Sequence, residues 1–314
     1  MSQSNARLRP LAAIALLLAA ATAGALAQGR APAGVASARI DVASLLDDLR
    51  TLSADAMEGR ALGTAGGVRA RRFVLARMQA SGVKPLGASY EQPIALPARG
   101  SAPALTGANV IGVIRGTSKP DRYLVMSAHY DHVGIRDGQI YNGADDNASG
   151  AAALFAIARY FSEHPLSSSL IVAAFDGEEE GLVGSRAFVR APPVDRAAIV
   201  IDINADMIGR DPKDNLYVVG TIRQPALKPI VDRVAKTAPV HLLQGHEGHG
   251  TGEDWTEDSD HYAFMEAGIP ALYFGVEDYD HLHQPSDDFE TIDQAFYVHA
   301  VETLIDTLIA FDAS

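Results

Sequence analysis

The sequence predicts an α/β protein in which a mixed, mostly parallel sheet lies between two layers of helices. Near-continuous apolar runs of strand length recur along the chain, and amphipathic helical segments separate them. Strands buried on both faces lose the alternation of polar and apolar residues, which is typical of a parallel sheet covered by helices on each side. No internal repeat is visible. The expected architecture is therefore a three-layer sandwich.

The first part of the chain is predicted to hold two helices and then two strands. Apolar residues recur at helical spacing over 40–52, and a second amphipathic helix is predicted over 68–81. A glycine-rich loop over 58–67 separates them. Strands are predicted at 109–114 and 123–127.

From residue 148 onward, helices and buried strands alternate, which indicates crossover connections between parallel strands. The predicted helices are 148–163, 226–236, 259–267 and 292–311, and the predicted strands are 170–175, 199–203, 216–219 and 269–274.

Composition and charge exclude several classes of protein. Of the 314 residues, 47% are hydrophobic, which is ordinary for a globular protein and excludes a disordered chain. Lys and Arg number 26 against 39 Asp and Glu, and this negative balance argues against a nucleic-acid partner, whose phosphates need cations. There is no cysteine, so disulfides, thiolate nucleophiles and Cys-ligated zinc are excluded. Any metal site must use His, Asp and Glu.

Residues 1–27 have the pattern of a secretory signal peptide. Arg7 and Arg9 precede an apolar run over 11–27 that ends in Ala25-Leu26-Ala27. The run is short for a membrane-spanning helix, which needs about 20 apolar residues. We expect cleavage after Ala27, a flexible leader over 28–39 and a single domain over 40–314. The protein would then be periplasmic or secreted, without a stable membrane anchor; an uncleaved anchor is the alternative.

Acidic and histidine side chains follow four successive predicted strands, and one further loop is acidic. The carboxyl ends of parallel strands meet at one edge of a sheet, so these side chains are expected to converge there. Taken singly, each motif has an ordinary explanation, such as a helix cap or a hydrated run of charge. The residues concerned are His129 and Asp131, Asp145 and Asp146, Asp176 and Glu178–Glu180, Asp206, and His281 and His283.

Together these residues indicate a metal site. Carboxylates that converge in a partly buried site repel one another unless a cation compensates, and no Lys or Arg lies within 129–131, 143–150 or 176–181. Imidazole and carboxylate ligands suit zinc, with manganese or cobalt as possible substitutes. Two histidines and three carboxylates are too few for two closed sites, but they suffice for two open sites that share a carboxylate.

Six motifs in order, over about 45–312, resemble the di-zinc exopeptidases of peptidase family M28. That family includes secreted bacterial leucyl aminopeptidases, with glutamate carboxypeptidases and glutaminyl cyclases as relatives. The stretch 58–67 is similar to the entry region of the family. The motifs are S-A-H-Y-D-H (127–132), N-G-A-D-D-N-A-S-G (142–150), D-G-E-E-E-G-L-V-G-S (176–185), N-A-D-M-I-G (204–209), S-D-H-Y-A-F-M-E-A-G-I-P-A (259–271) and H-Q-P-S-D-D (283–288).

The resemblance implies a zinc exopeptidase-like fold over 40–314 and two zinc ions per chain. One ion would be bound by His129 and Asp206 and the other by Glu179 and His283, with Asp145 bridging them. The implied metal ligands are thus His129, Asp145, Glu179, Asp206 and His283.

The resemblance also implies two catalytic positions. Glu178 would be the general base, and Asp131 would hydrogen-bond the second ring nitrogen of His129. The peptide bond between Asp145 and Asp146 is expected to be cis, as it often is in this family. A shift by one residue would instead make Glu179 the base and Glu180 the ligand.

Two further alternatives stay open at this point. His281 could replace His283 as a ligand. His246 and His249 lie in an acidic, glycine-rich stretch over 244–254, which either lines the substrate cleft or is an ordinary surface loop.

The resemblance implies an aminopeptidase that acts on peptides with a free N-terminus, and Tyr262 or Tyr273 could stabilise the oxyanion. Only about 40 residues, 82–122, precede the His129 motif where longer relatives carry an insert, so we expect an open cleft and short substrates. A carboxypeptidase, using Arg136 or Arg210, or another amide hydrolase is the alternative. A glutaminyl cyclase and a non-catalytic binding protein of this fold are further alternatives.

Overall fold

The computed structural model describes residues 35–100, 103–248 and 253–314, and a mixed eight-stranded sheet is its central feature. The predicted signal peptide and residues 28–34 of the predicted leader lie outside the described residues. The strands are β1 (Glu91–Leu96), β2 (Leu105–Ile114), β3 (Lys119–His129), β4 (Ile135–Arg136), β5 (Gln139–Ile140), β6 (Ser168–Phe175), β7 (Ile199–Ala205), β8 (Asn215–Val219), β9 (His241–Gln244) and β10 (Ala271–Gly275).

Four neighbouring parallel strands form the centre of the sheet. The strand order is β1-β2-β6-β3-β7-β10-β8-β9, while β4 and β5 form a separate hairpin. Strands β6, β3, β7 and β10 run parallel to one another, and β2 and β8 pair antiparallel to β6 and β10. The predicted mixed, mostly parallel sheet is confirmed.

Seven α-helices in the described part of the chain cover the two faces of this sheet. Side-chain oxygens of Asp41, Thr64 and Asp293 accept hydrogen bonds from backbone N–H groups in the first turns of three of them, which defines where these helices begin. None of the helices in the described residues is long and apolar enough to cross a membrane. The helices are α1 (Val42–Leu52), α2 (Ala65–Ala80), α3 (Gly150–Glu163), α4 (Val183–Arg190), α5 (Lys228–Val234), α6 (His261–Glu266) and α7 (Gln294–Asp312).

The central strands are apolar on both faces because each face packs against helices. In β3, Leu124 and Met126 belong to one apolar cluster, whereas Val125 between them belongs to another. The first cluster includes residues of α1, α2, α3, α5 and α7, and the second includes residues of α4 and α6. This explains why the strands appear in the sequence as continuous apolar runs.

Five short elements of the described residues are not predicted by the sequence. They are β1, β9, α4, and the two strands β4 and β5 of the hairpin. Strands β1 and β9 lie at the two edges of the sheet and are largely exposed, so they lack the apolar signal of the centre. Pro93 within β1 is tolerated because edge strands need fewer ladder hydrogen bonds.

The fold brings the carboxyl ends of the four parallel strands to one edge. Strand β3 ends at His129, β6 ends just before Asp176, and β7 ends just before Asp206. The loop after β10 contains His283. Side chains far apart in the chain therefore meet at this edge, as the sequence predicted.

The apolar cluster beneath α4 and α6 is expected to contribute strongly to stability. Phe264 is fully buried, and its ring centroid lies 6.1 Å from that of Phe175 and 5.5 Å from that of Phe188. Phe264→Ala should lower the free energy of unfolding by about 3–5 kcal/mol, because it leaves a cavity. Urea denaturation of the two proteins measures this difference.

Ile309→Ala is the matched control, because Ile309 also lies in a helix but is 38% exposed. Its effect should stay within about 0.5 kcal/mol. Equal losses in the two variants would contradict the assignment of the core.

Candidate metal centre

Two groups of side chains at the carboxyl edge bring their ligand atoms within 4.8 Å of one another. The first group is His129, Asp146 and Asp206. The second group is His132, Asp146, Glu179 and His283. Asp146 belongs to both groups, so its carboxylate is placed to bridge two cations.

The first group is built from the ends of β3 and β7. The Nε2 atom of His129 lies 3.2 Å from Oδ1 of Asp206 and 3.5 Å from Oδ1 of Asp146. Ser259 donates a hydrogen bond of 2.7 Å to the other oxygen of Asp206. This bond orients the carboxylate so that Oδ1 faces His129.

The second group joins the loop after β6 to the loop after β10. The Nε2 atom of His283 lies 2.9 Å from Glu179 Oε2 and 3.1 Å from Asp146 Oδ2. On the other side, Nδ1 of His132 lies 2.8 Å from Glu179 Oε1. Glu179 and Asp146 are thus held between two imidazole rings.

The prediction that Asp145 bridges the two metals is wrong by one residue. Gly209 donates a backbone hydrogen bond of 2.6 Å to Oδ1 of Asp145, and Oδ2 lies 3.6 Å from Nε of Arg210. These contacts keep Asp145 out of both ligand groups, and Asp146 is the carboxylate that the two groups share. The cis peptide bond likewise joins Asp146 to Asn147 and not Asp145 to Asp146.

His132 is a residue of the site that the sequence analysis did not select. It is fully enclosed, and its ring centroid lies 5.6 Å from that of His283. The signal was present in the motif S-A-H-Y-D-H, whose second histidine follows the first by three residues. The motif alone does not distinguish this second histidine from an ordinary buried one.

Asp131 contacts both His129 and the segment that carries Glu178. Its Oδ1 atom accepts a hydrogen bond of 3.1 Å from the backbone N–H of Glu178. The same oxygen lies 3.6 Å from Nδ1 of His129, whose nearer neighbour is the backbone oxygen of Asp131 at 3.2 Å. The Asp131 carboxylate therefore lies near the His129 ring without making the predicted hydrogen bond. Asp131 still connects His129, a predicted metal ligand, to Glu178, the predicted base.

The remaining alternatives are distinguished by contacts. Glu180 is exposed and belongs to neither ligand group, so the geometry favours Glu178 as base and Glu179 as ligand. His281 pairs with Asp278 at 3.0 Å, which leaves His283 as the ligand candidate. His246 stacks on Trp255 with ring centroids 3.7 Å apart, and His249 lies outside the described residues.

The charges of the cluster shift the pKa values of its members. Burial raises the pKa of Glu178 well above its ordinary value; His129 opposes this shift and Asp206 adds to it. Burial by itself would lower the pKa of His129, but Asp206 and Glu178 raise it well above the ordinary value. Hydrogen bonds to Asp146 and Glu179 raise the pKa of His283 to about 10. The cluster thus attracts positive charge.

The residues present fit a pair of zinc ions. Imidazole nitrogens and carboxylate oxygens without sulfur are a normal zinc donor set. Within the described part of the chain, several of these buried atoms have no hydrogen-bond partner, which is costly unless another species satisfies them. The atoms are Asp206 Oδ1, both ring nitrogens of His132, and Glu179 Oε1, which lies 2.8 Å from His132 Nδ1 without the alignment of a hydrogen bond.

Two buried arginines lie next to the cluster, although none occurs within its motifs. Arg210 contacts Asp145, Asp278 and Asp287. Burial by itself would lower the pKa of Arg210, but these three carboxylates raise it. The charge of Arg210 is therefore taken up by acids outside the ligand groups.

Arg60 is the second buried cation and has no solvent exposure. Burial lowers its pKa to about 10, while Asp146, Asp287, Asp131 and Glu179 act in the opposite direction. Arg60 and Arg210 both lie outside 129–131, 143–150 and 176–181, the segments in which the sequence shows no Lys or Arg. Even so, their charges do not supply the missing partners of the orphaned ligand atoms.

A cavity of about 590 Å³ opens directly onto the ligand groups. One part of its wall is apolar and another is acidic, and no Lys or Arg occurs among the described residues that line it. Beyond the ligand groups and Glu178, the apolar part includes Leu182, Met207, Trp255, Val276 and Leu282, and the acidic part includes Glu253, Glu257, Asp258 and Asp278.

Curated proteins similar to this chain include zinc metalloproteases. A probable zinc metalloprotease of Leptosphaeria maculans is 28% identical over 251 residues, which cover 68% of this chain and 56% of that protein. A glutamate carboxypeptidase 2 homolog of Caenorhabditis briggsae is 30% identical over 198 residues, covering 54% of this chain and 24% of that protein. The chain spans about half the length of the first curated relatives it matches.

Solved structures with the same fold carry different activities in their names. A glutaminyl cyclase of Porphyromonas gingivalis matches with a TM-score of 0.72 at 22% identity, covering 86% of this chain and 98% of that chain. BSAP, a zinc aminopeptidase from Bacillus subtilis, matches with a TM-score of 0.68 at 17% identity, covering 87% and 96%. These likenesses establish the fold and not the reaction.

The family is established by a longer match. The family model of Peptidase family M28 matches residues 109–308, a span from β2 to α7 that contains both ligand groups and Glu178. This span is well over half of the chain, and it confirms the resemblance found in the motifs. The chain belongs to Peptidase family M28.

Proposed function

We propose that this chain is a zinc-dependent aminopeptidase with two zinc ions, which removes N-terminal residues from peptides. The observation that carries the proposal is the Asp146 carboxylate shared by two ligand groups at the mouth of a cavity that has an acidic rim. His129 and Asp206 would hold one ion with Asp146. Glu179 and His283 would hold the other, with His132 as an added nitrogen.

Two bound zinc ions supply Lewis acidity, which polarises a carbonyl group and makes water more acidic. The chain's own residues supply the rest of the reaction. Glu178 belongs to neither ligand group, yet its Oε2 atom lies 4.0 Å from Nε2 of His129. It is therefore placed to accept a proton from the attacking water and to deliver it to the leaving amine.

The position of Glu178 depends on Asp131, because Asp131 Oδ1 accepts the backbone hydrogen bond of Glu178. The Glu178 side chain is 13% exposed, so few waters can compete for its proton. Burial also raises the pKa of Glu178, which favours the uptake of a proton from water.

The charge of the cavity favours an amino terminus over a carboxyl terminus. A substrate carboxylate would need a cation in the wall, and the two candidates, Arg136 and Arg210, do not line the cavity. Arg210 is occupied by buried acids, and Arg136 lies over the ring of Tyr141 at 5.8 Å. A free α-amine would instead meet carboxylates. The apolar wall would receive the side chain.

Tyr273 is better placed than Tyr262 to stabilise the oxyanion. Tyr273 lines the cavity and is 6% exposed, whereas Tyr262 is not part of its lining. Burial raises the pKa of Tyr273 well above its ordinary value, and Asp206 adds to this. The hydroxyl group therefore keeps its proton and can donate a hydrogen bond.

The site of action that we propose is the periplasm or the extracellular space. The support for it is the signal-peptide pattern over 1–27. Short peptides or amino-acid amides are the substrates that an open cavity of this size accommodates.

The proposed reaction is tested with aminoacyl-nitroanilides and their N-acylated counterparts. Zinc-loaded protein should hydrolyse only the free-amine substrates and should lose this activity with a chelator. Cleavage of blocked substrates alone would indicate another amide hydrolase. Release of ammonia from N-terminal glutamine without loss of a residue would indicate a glutaminyl cyclase.

Glu178→Gln tests the proton transfer. The variant should keep the zinc content of the wild type, because Glu178 is not a ligand, and its kcat should fall by about 10²–10⁴-fold. Zinc analysis and steady-state kinetics measure the two effects. Glu180→Gln is the matched control and should retain full activity, since Glu180 is exposed. Unchanged turnover in Glu178→Gln would remove this residue from the mechanism.

Asp146→Asn and Asp145→Asn together test which carboxylate is shared. The first should weaken zinc binding at both sites, because Asp146 belongs to both ligand groups. The second should retain wild-type zinc affinity, because Asp145 contacts Gly209 and Arg210 instead. Titration with a competing chelator compares them. The reverse result would restore Asp145 as the bridge.

A further inference from the structure

Arg60 uses its whole guanidinium group to hold backbone carbonyl oxygens. The group has five N–H donors, and five carbonyl oxygens accept from it. Within the described residues no carboxylate lies within ion-pair distance of Arg60, although buried arginines normally pair with acids. The acceptors are the carbonyl oxygens of Tyr130 (2.8 Å), Leu52 (2.8 Å), Asn142 (2.6 Å), Gly143 (2.9 Å) and Asp146 (3.4 Å).

Four of these five carbonyls belong to the segments that carry the metal ligands. Tyr130 lies between His129 and Asp131. Asn142, Gly143 and Asp146 lie in the segment 142–146, which we call the ligand loop. The charge of Arg60 is therefore directed at the backbone that presents Asp146.

Asp287 binds the same loop through the backbone N–H groups of the loop, whereas Arg60 binds its carbonyl oxygens. Its carboxylate accepts hydrogen bonds from the backbone N–H of Asp145 at 2.9 Å and of Asp146 at 3.0 Å. Its own carbonyl oxygen accepts from the N–H of Ala144 at 3.0 Å. A cation thus binds the carbonyls of the loop and an anion binds its amides, which are the strong, charge-assisted kinds of hydrogen bond.

The backbone that presents Arg60 is strained. Glu58, Gly59 and Arg60 have φ values of 51°, 63° and 55°, all in the left-handed region. This conformation is unfavourable for every residue other than glycine. Gly59 is required there, because a Cβ atom would lie 2.5 Å from the carbonyl oxygens of Gly134 and Tyr141. Strain of this kind persists only where surrounding contacts hold it in place.

We propose that Arg60 and Asp287 are positioning residues that clamp the ligand loop between them and so hold the Asp146 carboxylate between the two cation sites. The proposal rests on the proposed function for its catalytic consequence but not for its geometry. Because Asp146 is shared, loosening the loop should disturb both sites together. A purely structural arginine would affect folding alone.

The test compares Arg60→Lys, Arg60→Met and Asp287→Asn with the wild type. Zinc affinity is measured by competition with a chelator, and the cobalt-loaded proteins are compared by visible absorption. Arg60→Met and Asp287→Asn should bind zinc about 10–100-fold more weakly, as expected when partners of metal ligands are removed. Arg60→Lys keeps the charge without the planar fork and should fall between Arg60→Met and the wild type.

Steady-state kinetics with the aminoacyl-nitroanilide that the wild type hydrolyses give a second readout. The zinc-saturated variants should show a reduced kcat with a KM that changes less, because the cavity wall is not altered. Arg77→Met is the matched control. Arg77 is a partly buried arginine that pairs with Asp48 at 2.6 Å and does not touch the ligand loop. The Arg77→Met variant should be less stable than the wild type but should keep its zinc affinity and its cobalt spectrum.

Folded Arg60 variants with wild-type zinc affinity and cobalt spectrum would overturn the proposal. If Arg60→Met does not fold, Arg60→Lys and Asp287→Asn decide by the same criterion. Failure of all three to fold while Arg77→Met folds would also count against it, because it would assign the clamp to folding. A wild type without peptidase activity would contradict the proposed function and still leave the affinity comparison valid.

Discussion

The structure depends on compensating the repulsion among carboxylates that meet at the carboxyl edge of the parallel strands. Asp146, the adjacent pair Glu178 and Glu179, and Asp206 come from three separate segments, and their side chains meet largely buried at the base of the cavity. Such a cluster is unfavourable unless positive charge compensates it. Histidines within the cluster, arginines behind it and the proposed zinc ions each supply part of that charge.

The compensating charges are arranged in two layers with different tasks. His129, His132 and His283 face the carboxylates directly and are the nitrogen ligands available to a metal. Arg60 and Arg210 lie behind, where they bind backbone carbonyls and further acids instead of the ligand oxygens. The arginines therefore leave the ligand atoms of the cluster available, which a direct ion pair would not.

Much of the architecture and most of the site could be predicted because the signals are local. Buried strands such as 170–175 are apolar without interruption, and the residues after them lie at a known edge of the sheet. Edge strands such as β9 are not predicted because they are largely exposed and lack an apolar run. The helix α4 is not predicted because it is too short to show a clear helical periodicity of apolar residues. His132 was missed because nothing in its motif separates a second histidine from an ordinary buried one.

The sequence by itself determined the layered α/β class, the membership in Peptidase family M28 and the set of segments that form the site, since each depends on residue type and order along the chain. Only the tertiary structure decided between Asp145 and Asp146. Both are acids in the same loop, and the choice is made by Gly209 and Arg210, which bind Asp145 from elsewhere in the fold. The role of Arg60 emerged in the same way, because the carbonyls it binds lie up to 86 residues away.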